Sequence, residues 1–560
     1  MDAKKLFTPP FQYCSNTSEY LLTSDTWSQM AVLHKDSCSI SKSSKNLTGK
    51  ITPSFGFLGL INLQHSSYLL SISEAKYIGT LHACNIFKIS DIEYLPLSST
   101  KDPDSLLSLK SFISTNFFYF SYTYDLTNSI SRILQYRDSY SLDTVDQRFC
   151  WNFKLQEIFQ KSQVFELILP VISGFVQIEQ VSVEGQTVDF GVISRRDHRR
   201  AGTRFHTRGA NDQGNAANFV ETEQIVAWND SGKYIINSYV QIRGSIPLVW
   251  TQTPNLSWMP KVKIFPGTEP IKRHDSELRR NYKSVVYVNL IDKKGSQKRL
   301  GDAFFSALSG IGADSFVWFD FHAECKNMKY ENLGKLIEMI SGKIEDFGWT
   351  EVEIETNKQV NEGKVKKLQS GVLRTNCIDC LDRTNVVQSV FARCVLHKQL
   401  LALGKRVSDP MGSLNGVLET CFRNFWTNNA DAISILYSGT PAQKTDYTRT
   451  GKRTTRGAMQ DSKYGLTRYF INNFYDGSRK NANDIFLGNL KRMPNGANDN
   501  IIKILTFFAL VFILLISCNV CAHKLCPGIF QPIVFVLLLL IVYKFLPFIG
   551  SRIVEKPALV

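Results

Sequence analysis

Residues 371–403, GVLRTNCIDCLDRTNVVQSVFARCVLHKQLLAL, restrict the fold more than any other stretch. GVLRT reads as a strand. Val386, Val387, Val390, Phe391, Cys394 and Val395 recur at helical spacing, which predicts a buried helix. Between them lies the connecting loop NCIDCLDRT, opened by Cys377 and closed by Arg383. The predicted order is strand, loop, helix.

Cys-x5-Arg at such a junction has a chemical meaning. A phosphate monoester needs an in-line nucleophile and donors around its remaining oxygens. Five residues suffice to wrap backbone N–H groups around a phosphate, so Asn376, Ile378, Cys380 and Leu381 are candidate binding positions. The helix that follows aims its N-terminal donors and positive dipole end at the same point. Arg383 offers a planar bidentate fork. The same field lowers the thiol pKa of Cys377, so a thiolate can attack phosphorus. Thr384 is placed to hydrogen-bond the sulfur. The scheme needs no metal and no cofactor. Asp379 and Asp382 are joint candidates for the acid that protonates the departing oxygen; the alternative is that they only hold the loop's shape. A redox pair Cys377-x-x-Cys380 would leave Arg383 and Asp382 unexplained.

The 560 residues carry 43 % hydrophobic and 21 % charged side chains, a globular composition. The formal charge of +15 favours an anionic partner: nucleic acid, a membrane surface or a phosphorylated substrate. No nucleic-acid-binding motif is present. Nine of the twelve cysteines lie between Cys14 and Cys421 without disulfide-module spacing, which suits a reducing compartment. The stretch SILYSGTPAQKTD (434–446) approaches a nucleotide-binding loop, but Gln443 stands where a second glycine is required.

Short apolar runs at 56–63, 66–73 and 117–126 predict a mainly β N-terminal domain over residues 1–180. Residues 181–488 read as an α/β catalytic domain, with buried strands at 285–291 and 314–321 and a helix at 332–344. Residues 489–500 read as a polar linker. Two apolar runs, 501–518 and 532–549, each match the roughly 17–25 residues of a spanning helix. They predict a two-helix transmembrane hairpin at 501–550 and a tail at 551–560, with catalytic domain and both termini cytosolic by the flanking positive charges. A disulfide between Cys521 and Cys526 in the intervening loop is left open.

The motif RTNCIDCLDRTN (374–385) resembles the signature of the Sac (suppressor-of-actin) phosphoinositide phosphatases. The likeness extends to residues 118–132, 146–152, 194–225, 240–250, 319–325, 429–454 and 466–488. It implies a small N-terminal domain packed on a catalytic domain, with Cys377 as nucleophile and Arg383 as phosphate-binding arginine. It also implies hydrolysis of phosphatidylinositol 4-phosphate, and of the 3-phosphate, to phosphatidylinositol, in a protein integral to endoplasmic reticulum and Golgi membranes. The competing expectations are a cysteine phosphatase acting on phosphoproteins and a non-catalytic phosphoinositide-binding membrane-contact protein.

Two basic clusters fit an anionic head group. One comprises Arg195, Arg196, Arg199, Arg200 and Arg204. The other comprises Lys444, Arg449, Lys452 and Arg453. Internal ion pairs with Glu221, Glu223 and Asp446 are the alternative. His322, at the end of an apolar run, is expected to be structural.

Overall fold

The computed structural model describes residues 9–44, 49–98, 102–136, 144–313, 315–326, 329–355, 358–405, 416–451, 454–491, 493, 500–525, 533–537 and 554–558. The strands are β1 (Phe11–Ser15), β2 (Glu19–Ser24), β3 (Met30–His34), β4 (Ile40–Ser43), β5 (Thr52–Ser54), β6 (Phe57–Asn62), β7 (Ser67–Leu81), β8 (Cys84–Pro96), β9 (Phe118–Ser121) and β10 (Ile172–Val183). They continue as β11 (Gln186–Arg196), β12 (Val220–Asp230), β13 (Lys233–Arg243), β14 (Trp250–Thr251), β15 (Lys263–Ile264), β16 (Ser284–Asn289), β17 (Phe316–Trp318), β18 (Thr350–Glu355), β19 (Lys364–Lys367) and β20 (Gly371–Asn376). The helices are α1 (Pro103–Thr115), α2 (Ile130–Ile133), α3 (Glu157–Lys161), α4 (Glu269–Tyr282), α5 (Gly295–Gly310), α6 (Phe321–Glu324) and α7 (Leu333–Phe347). After β20 come α8 (Asp382–Ala402), α9 (Gly416–Ser438), α10 (Thr445–Thr450), α11 (Thr455–Phe474), α12 (Asp476–Phe486) and α13 (Asn500–Leu525).

The first five strands form an antiparallel sheet in the order β4-β3-β2-β1-β5. A second sheet, of 13 strands among the described residues, runs β17-β16-β20-β13-β12-β11-β10-β9-β8-β7-β6, with β18 added on β13 and β19 on β18. The mainly β character expected of the N-terminal region and the mixed α/β character beyond it both hold. Several expected strands are shorter than their apolar runs. β17 stops at Trp318 because Asp320 turns the chain, accepting hydrogen bonds from Ala323 N at 3.0 Å and Lys293 N at 2.8 Å.

What positions the site is the one parallel region of the large sheet. β20 lies between β16 and β13 and is parallel to both, and β17 is parallel to β16. Parallel strands need cover on both faces. Leu278 of α4 and Leu300 and Phe304 of α5 pack on one face, in a cluster that includes Val372. Leu336 and Ile340 of α7, Phe391 of α8 and Phe425 of α9 pack on the other, with Leu373. Successive residues of β20 thus enter opposite cores, as strand alternation requires. The C-terminal ends of β13, β16, β17 and β20 share one edge, where ligands of open α/β sheets bind.

A buried ionic network joins the sheet to its neighbours. Glu221 of β12 accepts from Arg132 of α2 at 2.6 and 2.7 Å, from Arg195 of β11 at 3.2 Å and from Tyr282 of α4 at 2.6 Å. Arg195 also pairs with Glu223 at 2.7 Å. For Arg195 the internal-pairing alternative is therefore the correct one, and its charge does not face a ligand.

The transmembrane expectation is corrected. Among the described residues, no helix is long and apolar enough to cross a membrane. α13 does form, over Asn500–Leu525; the side chains of residues 501–508 lie outside the described ones. Of the second run only 533–537 is described; the rest, with Cys526, lies outside the described residues. The hairpin at 501–550, and the endoplasmic reticulum and Golgi placement with two spanning helices, are not supported. Instead the described part of the tail lies on the large domain. Glu555 N donates to Asn473 O at 2.9 Å, and its carboxylate accepts from Ser478 N at 3.0 Å at the start of α12.

Glu221→Ala would leave two buried guanidinium groups short of their partner. Unfolding by urea is expected to show a loss of about 3–5 kcal/mol, whereas a loss under about 1 kcal/mol would mean the network carries little stability.

Candidate active site

β20 ends at Asn376, whose amide donates to Asn289 Oδ1 at the end of β16 at 2.7 Å. Leu290 N donates to Asn376 O at 2.8 Å, so the two strand ends are stitched together just before the loop. Residues 377–381 then turn the chain and α8 begins at Asp382. The turn is tight enough to put Cys380 in the left-handed region, at φ 53°, a conformation that costs a non-glycine residue energy.

Cys377 is 2 % exposed. Burial pushes its thiol up, but a hydrogen bond from the Cys380 thiol, the charge of Arg383 and the Thr384 hydroxyl outweigh it and bring the pKa down to about 5. Asp379 opposes that shift. Burial, with the negative sulfur of Cys377 beside it, pushes Cys380 well above the ordinary thiol range. The pair thus divides into thiolate and thiol. The Cys380 thiol lies 2.9 Å from Gly244 O and 3.3 Å from Cys377 O.

The two aspartates separate. Asp379 is gripped by two arginines: Arg204 at 2.8 and 3.0 Å and Arg208 at 2.5 Å. Burial alone would raise its pKa, and these two charges hold it well below the usual carboxylate range. Arg208 also donates to Ile378 O at 2.9 Å, so it fixes the loop backbone as well. Asp382, at the first position of α8, accepts from Gln443 N at 2.9 Å and lies 3.3 Å from Arg468.

Arg383 reaches back to the end of β16. It donates to Leu290 O at 3.0 Å and to Asp292 at 2.9 Å. Asp292 also meets His322 Nδ1 at 2.9 Å; burial acts against ionisation, but the His322 hydrogen bond and Arg383 together lower its pKa. Leu381 faces inward, in a cluster with Val220, Ile433, Leu436 and Tyr437.

Of the second basic cluster, Lys444 is brought near the loop: it follows Gln443, the residue that caps Asp382, and its own N–H bonds to Asp461 at 3.1 Å. Arg449 is not. It bonds to Asn424 and Asn428 of α9 at 3.3 and 3.1 Å. Lys452 and Arg453 lie outside the described residues. The first cluster is dispersed: Arg199 pairs with Asp197 at 2.6 Å and with Glu277 at 2.9 Å, Arg200 donates to Arg208 O at 2.7 Å, and Arg204 reaches the loop. The stretch 434–438, resembling the start of a nucleotide loop, is the end of α9, so the strand such a loop must follow is absent there.

Residues not singled out from the sequence also converge here. Arg208, Asp292, Gln297 and Arg468 touch the loop or its arginine. Arg243 ends β13, is completely buried and hydrogen-bonds Asn385 Oδ1. Burial lowers its pKa to about 10, against the pull of Cys380 and Cys377. Its sequence signal was its place in the stretch 240–250, which resembles the Sac family.

A buried cysteine at the C-terminal edge of a parallel sheet, next to a helix N-terminus and to several arginines, defines a class: α/β proteins with a cysteine–arginine loop between strand and helix. The comparisons narrow it. Residues 55–326 match the SacI homology domain. The chain is 41 % identical to phosphatidylinositol-3-phosphatase SAC1 of Drosophila melanogaster, over 77 % of this chain and 74 % of the fly protein. It is 36 % identical to phosphoinositide phosphatase SAC6 of Arabidopsis thaliana, over 78 % and 76 %. It is 34 % identical to phosphatidylinositol-3-phosphatase SAC1 of Saccharomyces cerevisiae, over 79 % and 73 %. The chain belongs to the Sac family of phosphoinositide phosphatases.

Thiolate absorbance, taken as the difference between the unmodified chain and Cys377→Ser, is expected to titrate with a midpoint near 5. The thiolate forms as pH rises through that value. Thr384→Val should move the midpoint upward, and a midpoint at the ordinary thiol value of about 8.5 would contradict the geometry.

Proposed function

We propose that this chain hydrolyses phosphatidylinositol 4-phosphate, and also the 3-phosphate, to phosphatidylinositol through a phosphocysteine. The observation that carries the reading is the buried Cys377 thiol, lowered to about 5 beside Arg383 and the first turn of α8. Family membership supports the substrate class.

Cys377 Sγ attacks phosphorus, the bond from phosphorus to the inositol oxygen breaks, and that oxygen takes a proton from Asp382. Water then attacks the phosphocysteine and gives its proton to Asp382. The sulfur leaves as a thiolate, stabilised by the Cys380 thiol and Thr384. Phosphate and phosphatidylinositol are released. Arg383 and the N–H groups from Ile378 to Asp382 hold the non-bridging oxygens. No cofactor takes part in this scheme.

Of the two candidate acids, Asp379 is the poorer. A carboxyl paired with Arg204 and Arg208 stays ionised and has no proton to give. It anchors the two arginines at the rim. Asp382 accepts from Gln443 N and, at 3.3 Å, from the single arginine Arg468, a looser hold than the three short contacts that Arg204 and Arg208 make to Asp379. His322 acts through Asp292 on the orientation of Arg383. Lys444 completes the positive rim toward an anionic lipid surface.

The test is phosphate release from vesicles containing phosphatidylinositol 4-phosphate, with chelator present. Release by the full chain and none by Cys377→Ser is expected; no release from any phosphoinositide would remove the reading. Asp382→Asn should slow the lipid reaction by about 10²–10⁴ yet spare an aryl phosphate, whose leaving group needs no proton. Asp379→Asn should impair both substrates alike. The reverse pattern would exchange the two roles.

A further inference from the structure

A cavity of about 610 Å³ lies between α1 and the α11–α12 pair, within the ~300–1,000 Å³ range of small-molecule sites. Leu107 and Phe112 of α1, Leu436 of α9, Ile471 of α11 and Ala482 of α12 line it. Two cations also line it, Arg196 at the end of β11 and Arg479 on α12. Neither takes part in holding Asp379 or Asp382.

Arg196 is the unusual one. It is 3 % exposed. Trp151 lies against one face of its guanidinium, 5.0 Å from the ring centroid. Its side chain makes one long hydrogen bond, 3.5 Å to Ser173 Oγ. Among the described residues, no carboxylate pairs with it. The other buried arginines divide in two. Arg132, Arg148, Arg195, Arg208, Arg383 and Arg468 each contact a carboxylate. Arg243 and Arg374 do not, and both feel the charge of the cysteine loop, where an anion is to be bound. Arg196 shares their condition but sits in a different place. A buried cation without a counter-charge is costly. Burial and the nearby charge of Arg479 push its pKa down to about 9. Arg479 already holds Asp476 at 2.6 Å and adds positive potential at the same cavity.

We propose that this cavity binds an anionic amphiphile, a carboxylate or phosphate on a single apolar chain, with the head group on Arg196 and the chain along Leu107, Phe112, Leu436 and Ile471. A bare inorganic anion would leave the apolar part of the lining, Leu107, Phe112, Leu436 and Ile471, unfilled, although Ser108, Ser111, Thr203 and Asn483 also line the cavity. The buried guanidinium excludes a neutral lipid, because it would leave the charge unpaired. The site is separate from the one where the headgroup reacts.

The full chain is incubated with a palmitate analogue bearing a photoreactive diazirine in its chain, irradiated and digested, and labelled peptides are mapped by mass spectrometry. Label is expected on the peptides carrying Leu107 and Ile471. Oleate and oleoyl lysophosphatidate should compete, the better of the two identifying the preferred head group, and neutral monoolein should compete at least about tenfold less well, as the loss of a charge-assisted hydrogen bond implies. Arg196→Gln should reduce labelling by a similar factor. Ile471→Trp, on the partly exposed wall, should block it by filling the cavity, and serves as the test should Arg196→Gln fail to fold by circular dichroism. Label elsewhere, equal competition by monoolein, or labelling unchanged in folded Arg196→Gln or in Ile471→Trp would overturn the proposal.

Discussion

A thiolate held inside the protein is the constraint on which this structure turns. Cys377 is almost wholly removed from water, which by itself would keep it protonated. Three neighbours reverse that: the Cys380 thiol, the Arg383 charge and the Thr384 hydroxyl. Each is delivered by the same short turn, since Cys380 lies inside it and Arg383 and Thr384 open α8. The left-handed backbone at Cys380 is consistent with a loop whose shape is set by what it must surround.

The turn is held from outside by the sheet. β16 and β20 end in register at Asn289 and Asn376, and the chain beyond β16 supplies Leu290 and Asp292 to Arg383. β13 ends alongside, so that Gly244 meets Cys380 and Arg374 of β20 donates to Ser245 O at 2.5 Å. From the opposite side Arg204 and Arg208 clamp Asp379. The loop is therefore tied to three strand ends and to the segment after β11. This is how a rigid scaffold presents a reactive segment that has little regular structure of its own. The large core clusters on the two faces of the parallel strands matter to function because they fix where those strands end.

Much of this was legible in the sequence, but unevenly. Strand, loop and helix over 371–403 were readable because the hydrophobic period changes from a short β run to helical spacing at the motif. The buried strand expected at 285–291 was readable from its continuous apolar run and forms as β16, whereas the one expected at 314–321 shrinks to the short, half-buried β17. The difference between Asp379 and Asp382 was not. Both are acids in one loop, and only the approach of Arg204 and Arg208, more than 170 positions away, separates them. The basic cluster at 195–204 looked uniform, yet alternation along β11 and the turn after it send Arg195 to Glu221 and Glu223, Arg196 to a cavity and Arg204 to the loop. The apolar end of the chain was read as a membrane hairpin from composition, and that expectation did not survive the structure.

The sequence alone determined the nucleophile candidate, its partner arginine and the strand-loop-helix frame, because these are local: they lie within one segment and follow from spacing and periodicity. Tertiary structure alone decided which charges are neutralised and which remain available. Charge pairing depends on distances between segments that sequence order does not encode. It was therefore the packing around β20 that buried both cysteines, paired Asp379 with Arg204 and Arg208, and left Arg196 with no carboxylate among the described residues.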